Sequence, residues 1–464
     1  MTTSLKSRAL SALVALSLTV VPMVAQALQS VSVPLYHVVD EAGNYRLGFY
    51  ASLGTSPDFK LYELDTGSSG TFAAYNSEWW PSFRFVRKVT NPQRYESGVV
   101  FYFDVVSTVV DLGGGARTGL VHVGKITQAS GNGIPPSVWN NLVKEGKPPL
   151  HGVFFGNMGS GLSSKDNIFA VLAQMPGNLK TGFVIRTLGY ITNENPKTPV
   201  QQGELVIGLT DQIRSRFEIQ VPMAALTKNG TDVTFPSGYL CRDQYGLSLN
   251  VSISDGVNTY TSAARPTLLD SGAPTATLYE LLPDFKVPDD LLNNKKTALK
   301  NGVTFQVSAD STGSKPEWIW NLTTGSVKSL NKIGVSPTKA VGEDIGQMNL
   351  GIIPYYTYEV MFDIQNGVVG LHRIPAAAQV GLDGNRKSII TSQSTYVVRG
   401  TATSPTGISA ITYQVNDASP KNAKGNAHWN FRAQLAKGTN TVVIRAFTGT
   451  ALVTTTVVKI KRLG

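Results

Sequence analysis

The stretch LYELDTGSSGTFAA, from Leu61 to Ala74, places an aspartate at the end of a short apolar run. Small and hydroxylated residues follow Asp65, and such residues are typical of turns. The stretch TLLDSGAPT, from Thr267 to Thr275, repeats this pattern around Asp270 in the other half of the chain. The sequence contains no other Asp-Thr-Gly or Asp-Ser-Gly tripeptide. One copy would indicate only a turn, whereas two copies in matched contexts predict a pair of carboxylates that work together.

The composition is that of a loop-rich globular protein. The chain has 464 residues, of which 42% are hydrophobic and 16% charged, with 45 Gly and 24 Pro. This length allows two or three domains. The formal net charge is +10, but no dense basic cluster accounts for it. Nucleic-acid binding is therefore poorly favoured, and a mildly basic exported protein is the better interpretation.

The first 27 residues have the pattern of a signal peptide. Lys6 and Arg8 precede the apolar run Ala9–Val21, and Ala25-Gln26-Ala27 fits a cleavage site. The run is short for a membrane span. We therefore expect an exported protein, periplasmic or extracellular, whose mature chain begins at Leu28.

A single cysteine, Cys241, is present, so we expect no intrachain disulfide and a buried thiol. The five histidines are scattered without the spacing of metal ligands. Neither a metal nor a cofactor is expected.

From Val31 to Arg373, short apolar or alternating runs are separated by Gly, Pro, Asn and Asp clusters. This pattern predicts an all-β chain. Residues 374–387 have the composition of a linker, and residues 388–464 alternate polar and apolar residues, as in a small β-sandwich. The segment WNFRAQLAKGTNTVVIRA resembles bacterial immunoglobulin-like modules. Three helices are predicted, at 137–143, 166–175 and 276–282.

The two aspartate loops, with several segments in matching order, resemble the pepsin-like aspartic peptidases over most of Val31–Arg373. The resemblance implies a bilobal double β-lobe, with lobes at residues 28–200 and 201–373 and one aspartate from each. The further segments that carry it are LHGVFFGNMGSG (Leu150–Gly161), QGELVIGLTD (Gln202–Asp211) and MNLGIIPYYTYEVMFDIQNGVVGLHR (Met348–Arg373).

The resemblance implies an exported endopeptidase in which Asp65 and Asp270 activate a water molecule and share one proton. Aspartic proteases are themselves the standard example of paired carboxyl groups whose pKa values separate. The resemblance also implies that Thr66 and Ser271 link the two loops, that Gly67 and Gly272 allow the tight turns, and that Ser68 supports Asp65. Ala273 takes the position of that serine in the second loop, so Asp270 should be the more easily protonated partner.

The family closes its cleft with a hairpin that carries a tyrosine before a glycine-rich tip. The segment VSTVVDLGGGARTGLVHVG, Val106–Gly124, lies at the matching place in the sequence. Its alignment predicts a flap in which Leu112 replaces the tyrosine and Gly113, Gly114 and Gly115 form the tip.

The sequence leaves two other functions open. The altered flap would suit a pepsin-fold binding or inhibitor-like protein without useful catalytic activity, and the terminal module would suit a structural or adhesive surface protein. For the endopeptidase, the expected partner is an extended peptide or protein, with no nucleic acid and no integral membrane segment after signal removal. The module would tether the enzyme to a cell surface or to its substrate.

Overall fold

The structure is a computed structural model that describes residues 29–463, with short gaps. The gaps are 132–134, 166, 188–197, 281–285, 310–317, 326–332, 338–346, 375–378, 384–387, 404–407 and 449–450. The predicted signal peptide and most of the predicted linker lie outside the described residues.

In the first half of the chain, the described residues form fourteen strands and one α-helix, α1 (Pro136–Lys144), besides two short 3-10 helices at Val171–Gln174 and Gly177–Thr181. The strands are β1 (Val31–Val39), β2 (Tyr45–Leu53), β3 (Lys60–Asp65), β4 (Ser69–Ala74), β5 (Arg84–Lys88), β6 (Gln93–Arg94), β7 (Val100–Thr108), β8 (Val110–Asp111), β9 (Val121–Ser130), β10 (Gly156–Ser160), β11 (Ser164–Lys165), β12 (Ile168–Phe169), β13 (Gly182–Thr187) and β14 (Val200–Ile207).

The next part begins with a short helix, α2 (Asp211–Arg214), and its described residues continue in twelve strands. These are β15 (Ile219–Pro222), β16 (Thr227–Lys228), β17 (Thr231–Asp232), β18 (Leu247–Ser254), β19 (Thr259–Leu268), β20 (Ala276–Glu280), β21 (Thr304–Ala309), β22 (Trp318–Thr323), β23 (Ile333–Pro337), β24 (Met348–Asn349), β25 (Tyr358–Asp363) and β26 (Val368–Arg373).

The last part, where described, has eight strands in two sheets, ordered β27-β29-β32 and β28-β34-β33-β30-β31. Buried aliphatic and aromatic side chains from both sheets form its own core. The strands are β27 (Gln379–Leu382), β28 (Ser388–Thr391), β29 (Thr395–Thr403), β30 (Ala410–Val415), β31 (Lys421–Asn422), β32 (His428–Gln434), β33 (Gly438–Thr448) and β34 (Ala451–Arg462).

The prediction of an all-β chain is confirmed, since strands dominate the described residues and α1 and α2 are short. Helix α1 covers the predicted helix at 137–143. It starts at Pro136, whose fixed φ suits a first helical turn, and it buries Trp139 against Phe101.

The other two predicted helices are wrong. Residues 168–169 form β12, and Val171–Gln174 form only a turn of 3-10 helix. The Ala276–Glu280 segment is β20, with side chains alternately buried and half-buried. Pairing with neighbouring strands overrides helix propensity in both segments.

Two matched strand arrangements position the aspartate loops. Strand β10 lies between β3 and β4, parallel to the first and antiparallel to the second. Strand β24 lies in the same way between β19 and β20. The register is also the same. Asn157 pairs with the β3 residue two positions before Asp65 and with the β4 residue seven positions after Asp65. Asn349 pairs with the β19 and β20 residues at the same two offsets from Asp270.

Candidate active site

The two aspartates lie where their loops meet, and each loop presses on the carboxyl group of the other. A Cβ atom built on Gly67 would lie 2.2 Å from Cγ of Asp270, and one built on Gly272 would lie 2.5 Å from Cγ of Asp65. Any larger residue would therefore displace a carboxylate. The Asp65 side chain is only 5% exposed. The structure thus brings together the two residues that the repeated motif singled out.

Hydrogen bonds hold each carboxylate on both of its oxygen atoms. The N–H of Gly67 donates to Asp65 Oδ1 at 2.8 Å, while Ser68 Oγ and Asn157 Nδ2 each donate to Oδ2 at 2.6 Å. On the other side, Asp270 Oδ1 accepts the N–H groups of Gly272 at 2.9 Å and Ala273 at 3.1 Å. Its Oδ2 accepts a hydrogen bond from Asn349 Nδ2 at 2.7 Å.

Asp270 therefore accepts more hydrogen bonds than the replacement of a serine, Ser68, by Ala273 in the second loop suggested. Ala273 lacks a hydroxyl group but donates its backbone N–H, and Asn349 covers the other oxygen. Each aspartate has three donors, and the remaining asymmetry is that only Asp65 has a hydroxyl donor.

Sequence reasoning missed Asn157 and Asn349. Each begins an Asn-apolar-Gly tripeptide, Asn157-Met158-Gly159 and Asn349-Leu350-Gly351, which is a second internal repeat. In the second copy, the N–H of Gly351 donates to Asn349 Oδ1 at 2.9 Å, and this bond turns Nδ2 toward Asp270. The shared tripeptide was the signal that would have found both residues.

Thr66 and Ser271 cross-link the loops below the carboxylates. Thr66 Oγ1 donates to the carbonyl of Leu269 at 2.7 Å, and Ser271 Oγ donates to that of Leu64 at 2.6 Å. The two backbone N–H groups donate reciprocally to the partner hydroxyl oxygens, at 3.1 and 3.0 Å. The Tyr355 hydroxyl lies 2.7 Å from Thr66 Oγ1 and adds a third point of attachment.

Burial, followed by the negative charge of Asp65, raises the pKa of Asp270 to about 8. Comparison with Asp255 shows that the loop conformation does not by itself raise the pKa of an aspartate. Asp255 accepts N–H groups two and three residues ahead, as Asp270 does. Hydrogen bonds to the backbone and to Lys300 lower the pKa of Asp255 to about 2. Burial, together with the negative charge of Asp65, therefore makes Asp270 the protonated member of the pair.

A buried charge cluster lies beside the first loop. Arg46 donates to Glu63 Oε1 at 2.8 Å and to Asp40 Oδ2 at 3.3 Å, and it also donates to the carbonyl of Gly272. Burial raises the pKa of Glu63 to about 7, although Arg46 opposes this. Because Glu63 lies two residues before Asp65, Arg46 ties the strand of one aspartate to the loop of the other.

The hairpin formed by β6 and β7 extends from the first aspartate loop to the second half of the chain. At its turn, the Tyr95 hydroxyl is buried, and burial together with the Asp65 and Glu63 carboxyls raises its pKa well above the usual value. The neighbouring Glu96 accepts a hydrogen bond from the Tyr279 hydroxyl, which belongs to β20.

The predicted flap residues lie elsewhere. Leu112 is 3% exposed, and β8, just before it, pairs with the end of β2. Gly113 and Gly114 approach Phe59 and Val31 rather than an aspartate loop. The four residues Leu112, Gly113, Gly114 and Gly115 therefore form a tight turn against β1 and β2. The tyrosine-bearing hairpin near Asp65 is that of Tyr95, whose YESG turn has only one glycine and so lacks the expected glycine-rich signal.

The described residues contain no group of three or more His, Cys, Asp or Glu side chains arranged to hold a metal ion. In the same part of the chain, no helix is long and apolar enough to cross a membrane. Cys241 is a buried free thiol. No model of a known protein family matches the sequence, and no curated protein matches it either.

The Asn349 hydrogen bond lowers the pKa of Asp270, so its removal has a defined direction. We expect Asn349→Leu to raise the pKa of Asp270 further, by about one to two units, since a hydrogen bond to a charged group contributes about 1.5–3 kcal/mol. Carboxyl-carbon NMR titration measures this shift. The matched control is Asn366→Leu, which removes an amide donor to Asp363 and should leave Asp270 unchanged. A lower Asp270 pKa in Asn349→Leu would contradict this assignment.

The shifted pKa values of buried carboxyl and imidazole groups predict how the free energy of unfolding depends on pH. Glu63 and Asp270 hold protons to about pH 7 and 8 in the folded chain, whereas unfolded carboxyls release theirs near pH 4. Their contribution to stability therefore falls as pH rises. Burial lowers the pKa values of His37 and His151 to about 4 and 3, which offsets this effect up to about pH 6.5.

We therefore expect the free energy of unfolding to change little from about pH 4.5 to 6.5 and then to fall by about 2 kcal/mol toward pH 8. Urea unfolding at a series of pH values measures the fall, and Asp270→Asn should make it smaller. Stability that rises above pH 6.5 would contradict the raised pKa values.

Proposed function

We propose that this chain is an exported, pepsin-like aspartic endopeptidase. Its lobes would be residues 28–200 and 201–373, followed by a linker and an immunoglobulin-like module at 388–464. The observation that carries the proposal is the reciprocal contact of the loops, in which Gly67 lies against the Asp270 carboxyl and Gly272 against that of Asp65. The equal register of β10 and β24 around the two aspartates supports two related lobes.

In the proposed reaction, the Asp65 carboxylate takes a proton from a water molecule, whose oxygen attacks the carbonyl carbon of the peptide. Asp270 gives its proton to the carbonyl oxygen, so a neutral tetrahedral intermediate forms. When the C–N bond breaks, the proton on Asp65 passes to the leaving amine, and a hydroxyl proton of the intermediate returns to Asp270. The raised pKa of Asp270 suits the acid role, because the group is still protonated at mildly acidic pH.

The substrate would be a peptide in extended conformation, bound by strand-like hydrogen bonds. In this proposal, the Tyr95 hairpin takes the place of the flap expected at Leu112. Its contact between Glu96 and Tyr279 supports a position that bridges the two halves of the site.

The test is incubation of the mature chain, residues 28–464, with a peptide mixture from acid to neutral pH. Mass spectrometry of new termini reports cleavage. We expect cleavage on the acid side of neutrality, lost in Asp65→Asn and Asp270→Asn. A folded protein that produces no new termini at any pH would overturn the proposal and favour the binding protein without useful catalytic activity.

A further inference from the structure

The net charge of the chain is concentrated in the terminal module. Residues 388–464 contain nine Lys and Arg residues but a single acidic residue, Asp417, which gives a net charge of +8. The preceding 387 residues have 32 basic and 30 acidic side chains and are therefore nearly neutral. Such a division has no bearing on the fold, but it determines what the module attracts.

One exposed sheet face of the module combines this charge with aliphatic side chains. Lys459 and Lys461 project outward from β34, while the alternate residues Val458 and Ile460 are buried. Lys459 pairs with Ser388 and Thr441, and Lys461 pairs with Ile390 and Thr439. We call the outward residues Ile390, Val457, Lys459, Lys461 and Leu463 the basic face.

The apolar members of this face are unusually exposed. Ile390 is 67% exposed, Val457 53% and Leu463 49%. Within the described part of the chain, neither lysine of the face forms an ion pair. Asp417 lies in the turn between β30 and β31, away from β34 in the strand order. The lysines are therefore available to an external anion.

The side chains on this face discriminate between classes of polyanion. Base stacking and sugar stacking both use exposed aromatic rings. The described aromatic side chains of the module, Tyr396, Tyr413, Trp429, Phe431 and Phe447, are buried or half-buried. Aliphatic residues between lysines instead suit the boundary between anionic headgroups and acyl chains.

We propose that the basic face docks the module onto a membrane surface rich in anionic lipids. Lys459 and Lys461 would contact the headgroups, while Ile390, Val457 and Leu463 would enter the interface between headgroups and acyl chains. This role is independent of peptide cleavage and would hold the rest of the chain at the membrane surface.

The test is flotation of the full mature chain with phosphatidylcholine vesicles, with and without phosphatidylglycerol. We expect binding only to the anionic vesicles, weakened by salt. The double variant Lys459→Gln/Lys461→Gln should lower the partition coefficient about 25-fold, at about fivefold for each lysine. The matched control, Lys421→Gln/Lys424→Gln, removes the same charge in and just after the other edge strand, β31, and should lower the partition coefficient less than about threefold.

The variant Ile390→Ser distinguishes binding to lipid from binding to soluble polyanions. It should weaken vesicle binding and leave any binding to an anionic polysaccharide or RNA unchanged. The proposal is overturned by equal binding to neutral vesicles, by equal loss in the two lysine pairs, or by binding to a soluble polyanion without binding to vesicles. A thermal unfolding curve for each variant confirms that it is folded.

Discussion

Asp65→Asn and Asp270→Asn should each lower the rate of peptide cleavage by about 10³-fold or more. General acid-base catalysis by a positioned group contributes about 10²–10⁴-fold, and the proposed reaction uses each carboxyl both to take and to give a proton. Asparagine keeps the size and most hydrogen bonds of aspartate but cannot exchange a proton. The measurement is the initial rate of cleavage of one identified peptide, followed across the pH range.

The matched control for this prediction is Asp255→Asn. Asp255 accepts the backbone N–H groups two and three residues ahead of it, as Asp270 does, but it pairs with Lys300 instead of another carboxyl group. We expect its cleavage rate to equal that of the wild type. If Asp65→Asn or Asp270→Asn cleaved the peptide at nearly the wild-type rate, as Asp255→Asn should, the reaction could not depend on the pair of aspartates.

Among the substitutions proposed here, Arg46→Met should cause the largest loss of free energy of unfolding. Arg46 is the cation that contacts the buried Glu63 and Asp40 carboxylates, with side chains only 3–7% exposed. Removal of one partner from a buried ion pair costs about 3–5 kcal/mol, because a charge is left buried without compensation. Urea unfolding at neutral pH measures this loss.

The loss of stability in Arg46→Met should be smaller at acidic pH. Burial favours the protonated form of Glu63, and a neutral carboxyl group is not stabilised by a nearby cation. The control is Arg117→Met, which breaks an exposed pair with Asp111 at 3.6 Å and should change stability by less than about 1 kcal/mol. Equal stability of Arg46→Met and the wild type at neutral pH would show that the cluster is not coupled to folding.

Local sequence patterns predicted much of the fold and the two central residues. Alternating runs indicated the all-β class, and the repeated Asp-Thr/Ser-Gly loops identified Asp65 and Asp270. These features depend on neighbours in the chain, namely side-chain alternation in strands and small residues in turns.

The remaining parts of the site depend on contacts between distant segments. Asn157 reaches Asp65, and Asn349 reaches Asp270, only because β10 and β24 insert between the strands that flank each loop. Likewise, Arg46 meets the carbonyl of Gly272 across 226 positions. The glycine-rich run after Leu112 suggested a flap there, whereas the structure packs this run against β1 and β2 and places the Tyr95 turn nearer Asp65.

A proton shared between the two loops is the centre of the proposed chemistry, and titration of Asp270 measures it most directly. Carboxyl-carbon NMR of the wild type should show Asp270 titrating far above the ordinary range of aspartate. In Asp65→Asn this step should move to lower pH, because the charge of Asp65 raises it, yet it should stay elevated because burial is the larger cause. An Asp270 step near pH 4 in the wild type, or one unmoved by Asp65→Asn, would contradict a shared proton.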